Sequence, residues 1–359
     1  MTAEPAARLL DIEALRAIEK VELHQHVDGS IPVRTVWELM HRHGLAPTAN
    51  EADLEKLLVL QPDEEGTLLA YLDKFHYPLW VTQFFENIER VVGDIVDEAV
   101  SHGVRQLELR YSPIIHTYAG LTLRQSIVAV LSAMKDKMEE HAALGLRCGL
   151  VVIAMRQQGP HIAKILARQS ISEAAHLHRT CGVVGFDIAG AERGTPPRLF
   201  AEAFEIARKG GLGTTAHAGE DEGAHFVWEA VDVLGVQRLG HACSAVHDPA
   251  LLRRLARDRI LVECCLTSNW QTGAVKRGER HPIHRFLEAG VPVAICTDNV
   301  TVSRTDQLRE SALVAAELGV EAVARIHENA RAWSFLGRPA QGTPPKRDPS
   351  AAPSAGTAG

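Results

Sequence analysis

The run from Thr214 to Glu220 (TTAHAGE) sets a potential metal ligand, His217, three residues ahead of a carboxylic acid, Glu220, at the expected end of a strand. Side chains alternate faces along a strand, so Thr215 and His217 share one face, and Ala218-Gly219 leaves the backbone room to turn and carry Glu220 across a site. One imidazole cannot hold a catalytic ion, so complementary ligands must come from elsewhere. The stretch from Glu22 to Asp28 (ELHQHVD) supplies His24 and His26, two imidazoles on the same face of a strand at a spacing that one ion bridges. His241 closes the run RLGH, and Asp298 follows an apolar run that ends at Thr297. Three imidazoles and one carboxylate leave a coordination position for water, which marks a catalytic zinc site and not a closed structural one. One ion suits this set better than two, because Val183 to Gly190 carries Asp187 but no Lys or Glu to bridge a pair. Iron, cobalt or manganese would also suit these donors.

These residues need elements that bring them to one place. Eight short apolar runs recur, at 21–26, 104–113, 149–155, 183–190, 213–220, 237–242, 260–269 and 291–299. Stretches with helical spacing lie between them, at 121–144, 162–181, 198–209, 225–234, 249–257 and 284–289. Strands alternating with helices predict a parallel sheet, and eight such units predict an α/β fold of the (β/α)8 TIM-barrel type. No Gly-rich phosphate fingerprint follows an early strand, which argues against a doubly wound open sheet. Every candidate ligand then falls at the C-terminal end of a strand, the face on which barrel enzymes assemble their sites. The connection from Ser30 to Gly103 is much longer than the others and reads as a helical insertion after strand 1. Within it, 67–77 reads as one helix carrying Leu68, Leu69, Leu72 and Phe75, with Tyr71 beside them, a candidate apolar wall over the substrate. The reading therefore has an N-terminal extension at 1–12, a barrel at 13–337, and a disordered tail rich in Pro, Ala and Gly at 338–359.

The 359 residues are 46% hydrophobic and 23% charged, which suits a globular chain with a substantial core. The net charge of −7 and the lack of a basic block predict a small-molecule substrate, with no nucleic acid and no membrane as partner. Six cysteines are too few for a disulfide scaffold, and no secretory pattern or membrane-length apolar run is seen, so a cytoplasmic protein is expected. Oligomeric state is left open.

From Lys20 to about Leu336 the chain resembles the adenosine deaminase family of the amidohydrolase superfamily. The resemblance rests on VELHQHVDGS (21–30), ELRYSP (108–113), VVGFDIAGAE (183–192), HAGE (217–220), RLGH (238–241), TSNWQTGA (267–274) and TDN (297–299). It implies that His24, His26, His217 and Asp298 hold one zinc ion per subunit, with Glu220 and His241 flanking the reacting carbon. It also implies that the Gly190 N–H meets a purine N3 and that Asp28 meets the 5′ end of the ribose. Leu72, Tyr71, Phe75 and Met155 are expected to line the substrate site. The implied reaction is hydrolytic removal of the 6-amino group of an adenine nucleoside, with release of ammonia. Glu220, kept neutral in a water-poor pocket, would protonate N1, while His241 would take a proton from the attacking water or orient it. The paired cysteines of the other zinc deaminase class, Cys-x-x-Cys, are absent.

Asn299 stands where most members of this family have a second Asp contacting N7; Asn can still donate to an unprotonated N7. Ala242 for a usual Gly, and Cys264-Cys265-Leu266 for the usual Cys-Pro pattern, read as packing variation. The run after Asn299 (VTVSRT) resembles the branch that deaminates 6-amino-6-deoxyfutalosine, a step of menaquinone synthesis, and inclines the expectation towards that substrate. Arg304, His76, Tyr71 and Phe75 would meet its long 5′ extension. The alternative is an ordinary adenosine deaminase converting adenosine or 2′-deoxyadenosine. A remoter one is a purine-nucleoside-binding barrel without turnover, which a missing ligand or acid would signal; none is missing.

Overall fold

The computed structural model describes residues 11–175 and 181–336. Eight parallel strands lie in chain order around one sheet. They are β1 (Lys20–His26), β2 (Val104–Tyr111), β3 (Arg147–Met155), β4 (Val183–Ala189), β5 (Gly213–Ala218), β6 (Arg238–His241), β7 (Leu261–Cys264) and β8 (Val293–Ile295). A bridge between Gln25 and Asp298 joins the last strand's exit to the first strand. There the His26 N–H donates to the Asp298 carbonyl at 2.7 Å, and the Asp298 N–H donates to the His24 carbonyl at 2.8 Å. The result is the predicted (β/α)8 barrel, with its main apolar core between the sheet and the surrounding helices.

β1 carries a register shift against β2 between Glu22 and Gln25. A bulge of this kind frees backbone groups from the ladder and re-aims side chains. Here the His24 N–H is satisfied by the Glu22 carboxyl at 2.8 Å, whose other oxygen accepts from the Thr297 N–H, the Thr297 hydroxyl and Gln307. Glu22 thus stitches the bulge to the exit of β8.

The opposite end of the barrel is plugged by the chain that follows the last helix. Phe335 sits 3.7 Å below the Arg238 guanidinium, and added Cβ atoms at Gly185 and Gly213 would lie 2.8 and 2.3 Å from its ring. Ser334 and the Phe335 N–H both donate to Glu108.

The insertion after β1 is helical, with Val33–Arg42, Glu51–Leu58 and Phe85–Ser101 as its longer pieces. The single helix expected at 67–77 is instead two short ones, Leu68–Asp73 and His76–Val81. Pro78 has no N–H to give to the carbonyl of Lys74 and its ring would clash there, so one continuous helix cannot pass. Other expected elements are shorter than read. The seventh run stops at Cys264 and turns into the helix Leu266–Gln271, and the helix expected at 162–181 is Gly159–Ser172, with Pro160 in its first turn. The helix within 121–144 is Leu123–Glu140, set by a capping box between Thr122 and Gln125. Two helices after β8, Gln307–Leu318 and Val320–Arg331, lay outside the expected set. The helix Ile12–Ala17, capped by Asp11, packs Leu15 into the core, so the body begins a little before residue 13. The rest of the expected N-terminal extension and the expected tail lie outside the described residues. No helix among the described residues is long and apolar enough to cross a membrane.

His327 offers a test of this packing. Its Nδ1 accepts from the Val21 N–H at 3.3 Å, while Nε2 lies 3.1 Å from the Ser311 hydroxyl. Burial, helped by the Lys20 charge, pushes the imidazole down to about 3. Between that value and the unfolded value of about 6.5 only the unfolded chain binds the proton, so the stability contributed is complete above about pH 6.5 and is lost as pH falls. The stability advantage of wild type over His327→Gln should shrink by about 2 kcal/mol between pH 7.5 and pH 5 in urea titrations. A difference independent of pH would mean that His327 protonates in the native protein as freely as in the unfolded one.

Candidate active site

The C-terminal ends of the strands bring the predicted residues together. The Nε2 atoms of His24 and His26 are 3.2 Å apart, as are those of His26 and His217. Asp298 Oδ1 lies 3.2 Å from His26 Nε2 and 3.6 Å from His24 Nε2. A tetrahedral zinc ion about 2.0–2.1 Å from each donor needs corners ~3.4 Å apart, so these spacings fit one. Proton positions fit as well. His24 Nδ1 faces Glu263 at 2.8 Å and His217 Nδ1 faces Asp187 at 3.0 Å, so the protons sit on Nδ1 and the converging Nε2 lone pairs are bare. Burial first, then neighbouring positive groups, holds His24 and His26 well below the usual imidazole range. Bare lone pairs and a carboxylate packed this closely repel one another unless a cation lies among them.

Each carboxylate is held in turn. Although burial works the other way, the neighbouring His217 imidazole and the Arg110 guanidinium keep Asp187 below the usual carboxylate range. Arg110 reaches Asp187 and Glu263, each at 2.9 Å. Ser268 donates to Asp298 Oδ2 at 2.6 Å. Asp298 and His241 both have left-handed backbone, with φ of 64° and 61°, as each strand end turns sharply to aim its side chain inward.

Above this cluster is a cavity of about 220 Å³. It is lined by His26, Asp28, Tyr71, Leu72, Phe75, Met155, Gly190, His217, Glu220, His241, Asp298 and Asn299, whereas His24 sits behind its surface and Leu69, expected in the apolar wall, is 70% exposed and outside it. Glu220 lies 3.6 Å from His241 Nε2. Burial, reinforced by the charges of Asp298 and Glu192, pushes the Glu220 carboxyl well above its usual range, which favours its protonated form. Gly190 has φ of 94°, and a Cβ there would come 2.6 Å from Gln157, so a side chain is excluded where the backbone meets the cavity.

Several neighbours escaped sequence reasoning. His116 Nε2 lies 2.8 Å from Asp28 Oδ1, and its Nδ1 faces the Thr82 carbonyl at 3.1 Å. Leu79 and Ile115 extend the apolar wall beyond the expected Leu68, and Gln157 adds a polar group. Tyr71 spends its hydroxyl on Ser303 at 2.6 Å, and Asn299 spends its Nδ2 on Asp298 Oδ1 at 2.7 Å. Two expected contacts are not brought in. Arg304 is paired with Glu55 at 2.6 Å with its side chain 69% exposed, and His76 is exposed against Tyr77 and Trp80. Both follow from the helix break at Pro78 and the left-handed turn at Arg304, with φ of 51°.

Glu192 was quoted within a motif but given no role. Its carboxylate accepts from the backbone N–H groups of Gly219, Asp221 and Glu222 at 2.7, 3.0 and 2.7 Å, clamping the loop that carries Glu220. Glu192→Ala should therefore speed amide exchange across 219–222 by at least about tenfold while strand amides keep their protection. Unchanged exchange in that loop would show that other contacts hold it.

Comparison with known proteins gives the same picture. The family model described as adenosine deaminase matches residues 19–342. Adenosine deaminase of Enterococcus faecalis is 34% identical over 324 residues, covering 90% of this chain and 93% of that one. A probable adenosine deaminase of Dictyostelium discoideum is 33% identical over 333 residues, which span 92% of this chain but only 42% of that longer protein. A crystal structure of an amidohydrolase from Burkholderia ambifaria with bound zinc superposes with a TM-score of 0.79, at 23% identity, covering 93% of this chain and 90% of that one. The chain therefore belongs to the adenosine deaminase family of the amidohydrolase superfamily, hydrolases that act on C–N bonds of adenine compounds.

Proposed function

We propose that this protein removes the 6-amino group of adenosine by hydrolysis, with one zinc ion held by His24, His26, His217 and Asp298. The observation that carries the reading is the convergence of those four donors directly below a cavity into which Glu220 and His241 also project. When bound, zinc supplies a nucleophile from water at neutral pH, by lowering the water's pKa towards about 7. The chain's own groups do the rest. Gly190 and Asp28 fix the base and the ribose, and the apolar wall keeps bulk water away. The neutral Glu220 carboxyl gives its proton to N1 as C6 becomes tetrahedral, and His241 Nε2 faces the same point.

Adenosine is preferred over the 5′-extended nucleoside for two reasons. Arg304 and His76, the groups that would meet a carboxylated extension, lie outside the cavity, and no Lys or Arg is among the described residues that line it. The curated relatives quoted above are adenosine deaminases, or probable ones.

His217→Ala should lose metal and turnover together. Asp187→Asn should keep the fold and weaken zinc binding by about 10–100-fold, since it unseats the proton on His217 Nδ1. Glu220→Gln should keep stoichiometric metal and lose about 10²–10⁴ in kcat. Metal analysis alongside a spectroscopic deamination assay distinguishes the three, and a Glu220→Gln enzyme within about tenfold of wild type would move the proton donor elsewhere.

A second panel compares kcat/KM for adenosine, AMP, free adenine and 6-amino-6-deoxyfutalosine. Adenosine should exceed AMP by at least about 10²-fold, because a phosphate would face Asp28 with no cation to receive it. A preference of more than about tenfold for 6-amino-6-deoxyfutalosine would overturn the adenosine assignment.

A further inference from the structure

His241 has two possible roles in the proposed reaction, accepting a proton or donating a hydrogen bond, and which one it can play depends on where its own proton sits. Four linked hydrogen-bonding groups decide this. Pro282 is the N-cap of the short helix Ile283–Glu288, so the helix begins two residues after His281. The Ile283 N–H lies in that helix's first turn, has no partner within the helix, and donates to His281 Nδ1 at 3.1 Å. A backbone N–H can only donate, so His281 Nδ1 must be the bare nitrogen and Nε2 must carry the proton. That Nε2–H points at Asn269 Oδ1, 3.0 Å away. The opposite end of the Asn269 amide, Nδ2, then faces His241 Nδ1 at 2.8 Å and donates to it. Turning the amide over would set two donors head to head at His281. The chain of donors therefore runs one way only, and it leaves His241 Nδ1 as an acceptor.

We propose that Asn269 and His281 are positioning residues that lock the proton of His241 on Nε2, so that His241 meets the reacting centre as a hydrogen-bond donor and not as a proton acceptor. The inference rests on the deaminase reading for its catalytic meaning, but the lock itself is a property of the fold. Asn269, His281 and His241 are each 2% exposed or less, so water does not compete for these bonds. Burial, aided by the charge of His284, pushes His281 down to about 3, which keeps the donor chain in one protonation state across the working range. Trp270 packs edge-on to the His281 ring with centroids 5.8 Å apart and holds its plane. On the site side, His241 Nε2 lies 3.6 Å from Glu220, within reach of an oxygen placed between them. A proton on Nδ1 would confront the Asn269 N–H, so the lock has one sense only.

The experiment reads the tautomer directly. Zinc-loaded protein labelled with 15N-histidine is studied by two-bond 1H–15N correlation, and the His241 signals are assigned by their loss in His241→Gln. Wild type should show the proton on Nε2. In Asn269→Asp the carboxylate can only accept, so the proton should move to Nδ1, with kcat falling about 10²–10⁴-fold while KM stays within about threefold. Metal content and Tm are measured alongside, so that a fall in kcat is not mistaken for unfolding or lost zinc. His281→Gln keeps an N–H for Asn269 and should retain the Nε2 proton, with kcat within about tenfold of wild type. The proposal is overturned by a wild-type proton on Nδ1, or by an Asn269→Asp protein whose tautomer or kcat does not change. Should Asn269→Asp fail to fold, the wild-type spectrum still decides the tautomer. Failure of the deaminase reading would look different: no turnover of any adenine nucleoside, with the tautomer result unaffected.

Discussion

The Glu263 carboxylate holds the barrel interior in order. One oxygen lies 2.7 Å from Arg238 Nε in an ion pair and accepts from the Thr215 hydroxyl at 3.1 Å, and the other accepts from His24 Nδ1 at 2.8 Å and Arg110 at 2.9 Å. Arg238 continues to Glu108 at 2.8 Å and Arg110 to Asp187. All five of these charged side chains are fully buried. Such groups are stable only when paired, yet an apolar core of the same volume would often be as stable, so pairing alone does not account for the lattice. Its outcome here is orientational. Two histidines keep their protons on Nδ1 and turn bare nitrogens towards one point.

Closure of the barrel and assembly of the cluster of His24, His26, His217 and Asp298 are the same event. β8 contributes only Val293–Ile295 to the sheet, and its exit is held to β1 by the backbone bonds of Asp298 and by Glu22, which reaches across to Thr297 and Gln307. The bulge that releases the His24 N–H to Glu22 also helps set the direction of the imidazole. At the far end, Phe335 and Ser334 close the barrel through Glu108 and Arg238, which are spent on one another. Chemistry and stability thus sit at opposite ends, joined by the charged column between them.

The sequence was informative about repetition and strand ends, and poor about anything that depended on contacts between distant strands. Eight apolar runs, each ending in a small or ligating residue, were enough for the barrel and for the face of the site. Arg110, Glu263 and Arg238 were visible as charges inside apolar runs, an expensive placement unless paired, but their partners lie as far as 239 residues away and alternation does not name them. Asn269 and His281 were hidden for a similar reason, since neither offers a ligand and their meaning lies in the direction of a donor chain. The break at 74–75 is a different kind of miss, because Pro78, with no N–H for the Lys74 carbonyl, disfavours a continuous helix through that point. The same misreading placed His76 in the cavity.

The long insertion acquires a physical purpose from what it does to Glu220. Leu68, Leu72 and Leu79 from its two short helices and Phe75 between them, with Ile115, line the cavity shared by Glu220 and Asp28. Removing water there raises the cost of ionising Glu220, so the carboxyl keeps the proton that the proposed reaction needs. The same dryness makes a charged sugar substituent costly, because the described lining offers it no cation. Asp28 itself is tolerable in such a place because His116, fixed by the Thr82 carbonyl, stands 2.8 Å from it. A positive group introduced to welcome an anionic nucleotide would face Glu220 across a cavity of about 220 Å³ and favour its ionised form. A dry wall that keeps Glu220 an acid therefore also favours a neutral substrate, and selectivity at the ribose end follows from the proton chemistry at the base.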